Sequence, residues 1–469
     1  MGHEILQSIR SPHFRHFLDF GDYTPGQASC RHPPAQSLAR RRFARQSGAH
    51  TLWFQPGTVL HRTGSDAGPQ PLPREPAMHA LPSAHSVQSP SDVPAAADRA
   101  GCVVALTADH RRYDSDHEHA TRAEAARRLA MLKGVAFRGE YKRNAPREAP
   151  TYFVPSDTLT ADAADALGVS TEDDIFGGVV PHAFVGTKVI THPLVYESAA
   201  KPHGWNPGFA QRVAGGVLRG YSAFSCDEAL IAGKRLLDEG EARVKPACAT
   251  GGRGQTVVRN VAALEHCVGR ISDEELREHG LVLEENLTEP VATLSVGQVV
   301  VGGLRASYHG VQRLTRNNHG HMVYGGSDLT LVRGGFDALL ALNLAPNVRL
   351  AIEQSRDYHE AAKDCFPGFF ASRINYDVAQ GLSTGGELRS GVLEQSWRMG
   401  GATGAEIAGL ECFRDRRDCR QVWASCFEVY GTSEAPRGAT VYFRGIDKKA
   451  GELVKYAAVT EMRCDAHAS

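Results

Sequence analysis

Hydrophobic and polar positions follow no sustained period in the first hundred residues of the chain. This part is rich in Pro, Ser, His and Arg, and proline interrupts it repeatedly. Such a sequence buries too little apolar surface to offset the entropy lost when a chain is ordered. The pattern predicts a disordered Arg/Pro/Ser-rich tail over residues 1–98, and the change in composition raises the hypothesis that the natural chain starts at Met78.

A regular pattern begins after about residue 100 and is typical of a small α/β domain, which we predict over residues 99–200. The apolar run Cys102–Leu106 predicts a buried strand. A capping box of Thr121 and Glu124 predicts a helix from Thr121 through Leu132. Further strands are predicted at Tyr152–Val154 and Phe184–Ile190.

The rest of the chain alternates helices with antiparallel hairpins, which is an α+β pattern. We predict one α+β lobe over residues 201–290 and a second over residues 291–469, which ends in a hairpin. Either Ser225 or Asp227 caps the first helix of the first lobe. The main helices are predicted at Glu228–Leu237, Ala262–Val268, Asp273–His279 and Val348–Lys363, and the main strands at Gly280–Leu287, Thr293–Val301, Val422–Tyr430, Val441–Arg444 and Tyr456–Val459.

The stretch Arg243–Val258 leads a strand into a glycine-rich turn and out into a second β-branched run. The strand carries Lys245, and the turn contains Thr250, Gly251, Gly252 and Gly254. Glycines let backbone amides approach a phosphate closely, and a lysine supplies the charge. Because a strand follows the turn, the stretch matches neither a Walker A loop nor a dinucleotide fingerprint. We interpret it as a nucleotide clamp, and an ordinary hairpin with a surface lysine is the alternative.

Two later strands are predicted to bring carboxylates together. Alternation predicts one polar face with Arg373, Asn375 and Asp377 in Ser372–Val378, and another with Glu394, Ser396 and Arg398 in Gly391–Arg398. If the strands pair as a hairpin, Asp377 and Glu394 lie close together. Two such acids stay ionised at low cost only when a cation lies between them, and Mg²⁺ is the natural candidate. The alternative is a solvent-facing hairpin whose arginines pair with the acids.

Composition excludes several functional classes. The 469 residues carry a formal net charge of -1, with 22% charged residues, so nothing indicates binding to nucleic acid or to an anionic membrane. No apolar run is long enough to span a bilayer. The ten cysteines form no Cys-x-x-Cys pair, which favours a reducing compartment and a cytoplasmic location. Cys412, Cys419 and Cys426 recur at equal intervals, but the spacing matches no common zinc site.

Two further polar clusters invite a functional interpretation. The first comprises Asp114, Asp116, His117, Glu118 and His119, and the second comprises Arg313, Arg316, His319 and His321. Carboxylates just before a helix are also what the helix dipole favours, so the first cluster has a simple alternative to metal binding. The second is a candidate for phosphate or substrate contacts, against the alternative of an exposed loop.

The order of these motifs resembles that of the ATP-grasp superfamily, and more narrowly a bacterial branch of unassigned function. The resemblance covers about Gly215 to Ala405, and the preceding α/β segment is similar to the domain that usually precedes the clamp. The matching motifs are Lys245 with Gly251, Gly252 and Gly254; Glu284-Glu285-Asn286-Leu287; Asn375 or Asp377; and Glu394-Gln395-Ser396-Trp397-Arg398. The resemblance implies an ATP-grasp fold, in which two α+β lobes clamp ATP, preceded by a small α/β pre-ATP-grasp domain.

Residue roles follow from the resemblance. It implies that ATP is bound by Lys245, Thr250, Gly251, Gly252 and Gly254 at the phosphates and by Glu284, Glu285, Asn286 and Leu287 at adenine and ribose. It implies Mg²⁺ at Asp377, Glu394 and Ser396, and catalytic roles for Lys245 and Arg398. Lys188, Lys201 and Arg212 compete for a second phosphate contact.

The implied activity is that of an ATP- and Mg²⁺-dependent ligase, which joins a small carboxylate to an amine or thiol through an acyl phosphate. A homodimer is left open. Two departures bear on this expectation: Ser396 stands where the family usually has an asparagine, and either Asn375 or Asp377 holds the position of the acid. They leave two alternatives, a nucleotide-binding regulatory module that does not turn over and a phosphoryl transferase on the same fold.

Overall fold

A computed structural model describes residues 101–108, 115–142, 150–249 and 254–464. The predicted tail, residues 1–98, lies outside the described residues. The helices are α1 (Asp116–Lys133), α2 (Ala161–Leu167), α3 (Pro207–Val213), α4 (Cys226–Leu237), α5 (Val261–Val268), α6 (Asp273–His279), α7 (Phe336–Leu340), α8 (Pro346–Cys365) and α9 (Thr403–Asp415). Among these described helices, none is long and apolar enough to cross a membrane.

The strands of the described ranges form four sheets. Two small sheets have the orders β2-β1-β3 and β13-β5-β4, a third has the order β6-β9-β7-β8, and the largest has the order β15-β14-β10-β11-β12-β16-β18-β17. The strands are β1 (Cys102–Leu106), β2 (Ala136–Glu140), β3 (Thr151–Pro155), β4 (Leu159–Thr160), β5 (Gly178–Val180), β6 (Gly220–Ala223), β7 (Ala242–Pro246), β8 (Thr256–Val258), β9 (Leu281–Glu285), β10 (Thr288–Val301), β11 (Leu304–Arg316), β12 (Met322–Arg333), β13 (Phe370–Ala371), β14 (Arg373–Leu382), β15 (Leu388–Ser396), β16 (Cys419–Tyr430), β17 (Thr440–Asp447) and β18 (Gly451–Cys464).

The N-terminal part is an α/β unit in which β1 pairs in parallel with both β2 and β3. Its helix α1 begins earlier than the sequence predicts, because Ser115 and not Thr121 is the N-cap. The Ser115 hydroxyl accepts the Glu118 amide, whereas the Thr121 hydroxyl donates to the His117 carbonyl at 2.6 Å inside the helix. The Thr121 side chain therefore makes its hydrogen bond within α1 and does not cap the helix.

The strand predicted at Phe184–Ile190 is wrong. The segment forms two short 3₁₀ turns, Ala183–Gly186 and Lys188–Thr191. Val185, Val189 and Ile190 are buried in the main hydrophobic cluster, which accounts for the apolar run. A short apolar run indicates burial but does not by itself distinguish a strand from a buried turn. As the site below shows, the second turn positions a lysine.

A small antiparallel sheet, β6-β9-β7-β8, packs against α4, α5 and α6 and forms the first lobe. Its core contains Val244 of β7, Leu283 of β9 and Leu264 of α5. Ser225 is the observed N-cap of α4, where its hydroxyl accepts the Glu228 amide. β7 and β8 pair antiparallel, as the predicted hairpin requires.

The large antiparallel sheet is covered on both faces by hydrophobic clusters. On one face, Val296 of β10 lies in a cluster with Ile352 and Tyr358 of α8. On the other face, Val299 of β10 lies in a cluster with Ile407 of α9. The predicted terminal hairpin is confirmed and joins this sheet as β17 and β18. The α+β organisation with an α/β N-terminal part is therefore confirmed.

Candidate functional site

A buried charged cluster lies on the small sheet where β7 and β9 run side by side. Arg243 lies directly opposite Glu284, so Lys245, two residues along β7, is on the same face. The Lys245 ammonium forms an ion pair with one Glu284 oxygen, and His192 Nε2 lies 3.2 Å from the other. Lys245, Glu284 and His192 are each no more than 2% exposed. The strand lysine of the sequence analysis is therefore a buried charge and not a surface lysine.

The cluster shifts the protonation of both partners. Burial alone would raise the pKa of Glu284, but the charge of Lys245 and the hydrogen bond from His192 outweigh it and hold the pKa at about 2. Burial lowers the pKa of Lys245, and the Glu284 carboxylate opposes that shift. Among the weaker influences on Lys245 is Glu394 of the large sheet, so the two lobes share one electrostatic site.

Lys188 connects the small lobe to the carboxylate strands. Its Nζ atom lies 2.6 Å from Glu394 Oε2 and donates to the Ala249 carbonyl at 2.5 Å, at the base of the glycine-rich turn. The side chain is almost fully buried. Of the three cations that compete for a second phosphate contact, Lys188 is the one beside this site. Lys201 donates to the Glu197 carbonyl, and Arg212 pairs with Asp364 at an exposed position.

The predicted pairing of the two acid strands is confirmed. β14 and β15 pair antiparallel, with Asp377 directly opposite Glu394. Asp377 accepts hydrogen bonds from Ser295 Oγ at 3.1 Å and from Asn375 Nδ2 at 3.0 Å. Burial, and then the neighbouring charge of Glu394, raise the pKa of Asp377. Asp377, rather than Asn375, therefore faces the second carboxylate.

Asn375 and Ser396 face each other one step further along the hairpin and belong to a buried network. The Tyr308 hydroxyl lies 3.0 Å from Asn375 Oδ1 and 2.6 Å from Glu406 Oε1. Arg373 donates to Ser396 Oγ at 3.3 Å and pairs with Glu406 at 2.6 Å. The amide and the hydroxyl thus already have protein partners. The sequence analysis did not identify Tyr308 or Glu406, since neither stands in a recognisable motif.

The donors around Asp377 suit a divalent cation that arrives with phosphates. Within the described ranges, no group of three or more His, Cys, Asp or Glu side chains is arranged to hold a metal ion alone. Mg²⁺, however, is commonly bound by one or two carboxylates together with substrate phosphates. Asp377 and Glu394 supply two facing carboxylates, and the raised pKa of Asp377 shows that they repel each other. This pair fits the ion, whereas the Ser396 hydroxyl is engaged by Arg373.

The acidic turn that the sequence analysis assigns to adenine is held by both lobes. Glu285 accepts the Arg219 amide at 3.0 Å and lies 3.4 Å from Arg389 of β15. Asn286 Oδ1 accepts from Arg243 at 2.8 Å. The amides of Glu285 and Asn286 donate to the carbonyls of Arg219 and Glu241. The amides of Glu285 and Asn286 are therefore already engaged within the protein.

The tip of the glycine-rich turn, with Thr250, Gly251 and Gly252, lies outside the described residues. Gly254 is described and has φ of +70°, a left-handed conformation that favours glycine. Asp114 of the first polar cluster is likewise outside the described residues, whereas Asp116, His117, Glu118 and His119 belong to α1.

Arg398 does not share a strand face with Glu394. β15 ends at Ser396, so the predicted strand Gly391–Arg398 is two residues too long. Trp397 turns into the core, and Arg398 lies beyond the strand, with Nε 3.6 Å from Asp157 Oδ1. There it lines a cavity between α1, α9 and the last strands.

The remaining candidates have structural surroundings. Arg313 pairs with Asp328 at 2.7 Å and lies over the ring of Phe427, while His319 and His321 occupy an exposed turn. The cysteines of the equal-interval pattern are free thiols on α9 and β16: Cys412, Cys419 and Cys426. His192 was missed by the sequence analysis, although a histidine inside the apolar run Val189–Val195 was a usable signal.

Comparisons with known proteins identify a family and a set of similar folds. The family described as "Protein of unknown function (DUF3182)" matches residues 104–457. No curated protein matches the chain. Similar solved structures include the N5-carboxyaminoimidazole synthase of Aspergillus clavatus in complex with ADP and 5-aminoimidazole ribonucleotide, at 10% identity over 76% of this chain and 94% of that chain, with a TM-score of 0.42.

Two further similar structures are, by name, a ligase and a synthetase. The phosphoribosylamine–glycine ligase of Thermotoga maritima has 14% identity over 77% of this chain and 92% of that chain, with a TM-score of 0.39. The D-alanyl-alanine synthetase A of Vibrio cholerae has 10% identity over 66% of this chain and 94% of that chain, with a TM-score of 0.36. At these identities the likeness concerns the fold alone.

Proposed function

Since the chain belongs to the DUF3182 family of proteins of unknown function and has the ATP-grasp fold, we propose that it is an ATP- and Mg²⁺-dependent ligase that joins a carboxylate to an amine or thiol. The proposed ATP cleft would lie between the small sheet, with Lys245, and the β14–β15 hairpin, with Asp377 and Glu394. The proposal is supported by the ion pairs of Lys245 and Lys188 with carboxylates on these elements.

The observation that carries the proposal is that two buried lysines are each paired with a carboxylate. Lys245 and Lys188 come from separate elements, and each is paired with a carboxylate, Glu284 and Glu394 respectively. Buried lysines are rare because the charged form is costly to desolvate. Phosphate oxygens at this position would take up the same ammonium groups, and the Glu394 carboxylate would then be released to a cation.

Asp377 and Glu394 would hold Mg²⁺, which would supply charge neutralisation at the phosphates. The protein's own residues would perform the positioning, because Lys245 and Lys188 would orient the phosphate chain. Phosphoryl transfer needs this positioning and charge neutralisation more than it needs a protein nucleophile.

The proposed reaction has two steps. A carboxylate oxygen of the substrate forms a bond to the γ-phosphorus of ATP while the bond from that phosphorus to the β-γ bridging oxygen breaks, which releases ADP and leaves an acyl phosphate. The amine or thiol then attacks the acyl carbon, inorganic phosphate leaves with the electron pair of the broken bond, and the nucleophile loses a proton. The net products are the amide or thioester, ADP and phosphate.

Thermal unfolding with and without ATP·Mg²⁺ tests the binding step. A ligand at a hundred times its dissociation constant adds about 2.7 kcal/mol to the free energy of unfolding, which raises the midpoint temperature by several degrees. We expect this shift for the wild type and for the control Lys234→Ala on the exposed face of α4, and its loss in Lys245→Ala. An unchanged shift of the midpoint temperature in Lys245→Ala, or no shift in the wild type, would contradict the proposal.

Phosphate release tests the chemical step. Purified protein is incubated with ATP, Mg²⁺ and a panel of small carboxylates with amines or thiols, and products are identified by mass spectrometry. Ligated product with stoichiometric ADP and phosphate supports the ligase. A phosphoryl transferase would instead give a phosphorylated product without a ligated one.

The second candidate function is a nucleotide-binding regulatory module that does not turn over. The observation that favours it is the engagement of Asn375 by Tyr308 and of Ser396 by Arg373, which leaves fewer ligands for a metal ion. Nucleotide binding without phosphate release across the whole panel would favour this module over the ligase.

A further inference from the structure

A cavity of about 180 Å³ lies beyond the end of β15, and neither Lys188 nor Lys245 lines it. Four parts of the chain line it: α1, Ser156 after β3, the segment that leads from Arg398 into α9, and the last three strands of the large sheet. Clefts for drug-sized ligands usually measure about 300–1,000 Å³, so this cavity suits a smaller molecule. The strands that close it, β16 to β18, lie after the motifs that carry the resemblance, and no residue role was assigned to them.

The cavity is within reach of the carboxylate pair. Arg398 follows Glu394 by four residues, which corresponds to about 13 Å at 3.3 Å per residue of extended chain. Arg373 ties the two regions together, because it donates to the carbonyls of both Ser396 and Arg398, at 3.0 and 2.5 Å. The cavity therefore adjoins the end of the strand that carries Glu394.

Three further charged side chains of the cavity wall are engaged within the protein. Lys455 and Glu428 form an ion pair at 2.8 Å. Arg122 is buried, donates to the Thr107 hydroxyl and lies 3.0 Å from His119 Nδ1. These contacts hold the three side chains in place.

Two charges of opposite sign remain available, and they come from different elements. Arg398 makes only a long contact with Asp157, at 3.6 Å, and a hydrogen bond to the Met399 carbonyl. Among the described residues, no ion pair or side-chain hydrogen bond reaches the Glu118 carboxylate of α1. A guanidinium matches a carboxylate through parallel hydrogen bonds, and a carboxylate accepts from an ammonium.

One side of the wall is mainly aromatic. Phe427 and Tyr456 stack with ring centroids 4.6 Å apart, and Tyr442 and Met399 complete this side. Such a surface would pack against the carbon skeleton of a small molecule.

We propose that this cavity binds a small zwitterion of the size of a free amino acid as a substrate of the ligation, with its carboxylate on Arg398 and its ammonium on Glu118. The inference rests on the proposed function only in naming the zwitterion a substrate of the ligation. The binding itself depends on the cavity and its two charges, and it is measured without nucleotide.

Calorimetric titration of the full chain tests the proposal with L-alanine, L-glutamate, L-phenylalanine and L-lysine as probes. Each is compared with its N-acetyl derivative, which lacks the ammonium, and its amide, which lacks the carboxylate. We expect at least one amino acid to bind, and both of its derivatives to bind about tenfold or more weakly, since tenfold corresponds to the loss of one interaction of about 1.4 kcal/mol.

Two variants assign the ends of the ligand. Glu118→Gln is expected to weaken the amino acid about tenfold and to leave the N-acetyl derivative unchanged, because that derivative has no ammonium to lose. Arg398→Gln is expected to weaken binding of the amino acid about tenfold and to leave binding of its amide unchanged, because the amide has no carboxylate to lose. Glu124→Gln, on the same helix but paired with Arg127 at 2.6 Å, is the matched control and should bind as the wild type does.

The outcomes separate this inference from the proposed function. The inference is overturned if no amino acid binds, if the derivatives bind as well as the parent compounds, or if Glu124→Gln loses as much affinity as Glu118→Gln. Each of these results can occur while ATP still stabilises the protein through Lys245. Conversely, amino acid binding without any ATP effect keeps the cavity and overturns the ligase.

Discussion

Glu284 is the residue on which the buried half of the cleft depends. It neutralises Lys245 on one side and contacts His192 on the other, and all three side chains are excluded from water. An ion pair at such a depth is not in itself a strong source of stability, because desolvation offsets the attraction. The ion pair is consistent with a role of Glu284 in holding a charged lysine in place for a ligand that carries phosphates.

The pKa of Glu284 gives a prediction for stability as a function of pH. The pKa is about 2 in the folded protein against an ordinary value of 4.5, so the unfolded chain binds the proton more readily. The stabilisation is therefore complete above about pH 4.5 and is lost as the pH falls from there towards 2, by roughly 3 kcal/mol in total. Denaturant titrations between pH 7 and pH 3 measure this loss.

Glu284→Gln is the matching variant. The variant lacks the part of the acid-dependent loss of stability that Glu284 contributes. It also leaves the ammonium of Lys245 buried without its partner, so we expect the free energy of unfolding at pH 7 to fall by about 3–5 kcal/mol. Glu278→Gln, at an exposed position of α6, is the control and is expected to change the free energy by less than about 0.5 kcal/mol. Equal stability of the two variants at pH 7 would contradict the structural role given to Glu284.

A second buried residue pair predicts a contrast between single and double substitution. Arg373 and Glu406 are both buried and pair at 2.6 Å beneath the β14–β15 hairpin. Glu406→Gln leaves a buried guanidinium unpaired and is expected to cost about 3–5 kcal/mol, whereas Arg373→Met with Glu406→Leu is expected to recover part of that loss. Denaturant titration of the three proteins measures the difference, and a double variant less stable than the single one would argue against a simple charge-pair account.

At the scale of elements, the β14–β15 hairpin determines which acids meet. Its register is regular from Asn375 to Asp377 and then shifts, so that Val378 lies opposite Val392 and Leu393 is the extra residue of a bulge. Bulges change the direction of the following side chains and are common beside functional sites. The bulge at Leu393, directly before Glu394 in β15, ends the regular pairing of polar residues at the Asp377–Glu394 pair.

Asp377→Asn tests this pairing. The raised pKa of Asp377 means that its ionised form destabilises the fold, with the favourable contribution present at low pH and lost as the pH rises through the folded pKa. We therefore expect the variant to be more stable than the wild type at pH 7 without Mg²⁺, and to lose the Mg²⁺-dependent part of the stabilisation by ATP. Thermal unfolding with ATP, with and without Mg²⁺, separates the two effects.

The control for this experiment is Asp337→Asn, at an exposed position of α7. It is expected to follow the wild type under every condition. A gain in stability for both variants would indicate a general effect of net charge, and an unaltered response of Asp377→Asn to Mg²⁺ would remove Asp377 from the proposed metal site.

At the scale of the whole molecule, the two lobes are joined through Glu285. Arg219, at the start of the small lobe's β6, and Arg389, on the large sheet, both approach its carboxylate, at 3.5 and 3.4 Å. A polar pocket surrounds Glu285 and is lined by residues of both lobes. A clamp needs such a connection, because the lobes must approach each other around a ligand without separating.

Truncation provides the prediction at this scale. The hydrophobic clusters of the described residues all lie between Cys102 and Cys464. A chain that begins at residue 99 is therefore expected to unfold within about 2 °C of the full chain and to show the same shift with ATP, since about 1 kcal/mol changes the midpoint by only a few degrees. A large loss of stability would contradict the prediction that residues 1–98 are a disordered tail.

The sequence by itself determined the α+β class, most of the helices, the terminal hairpin and the pairing of Asp377 with Glu394. These features follow from local periodicity and from alternation along adjacent strands, which a single chain records directly. It also identified Lys245 and Glu284, but in two different motifs. Lys188 was one of three candidates for a second phosphate contact.

Only the tertiary structure decided which charges meet. Lys188 reaches Glu394 from a 3₁₀ turn in a segment for which the apolar pattern predicts a strand, and His192 reaches Glu284 from the residue directly after that turn. Arg398 leaves its predicted face because β15 ends two residues earlier. Contacts between residues far apart in sequence depend on how packed elements cross and where strands stop. Neither quantity is written in the local pattern of hydrophobic and polar positions, because burial produces the same apolar run in a strand and in a buried turn.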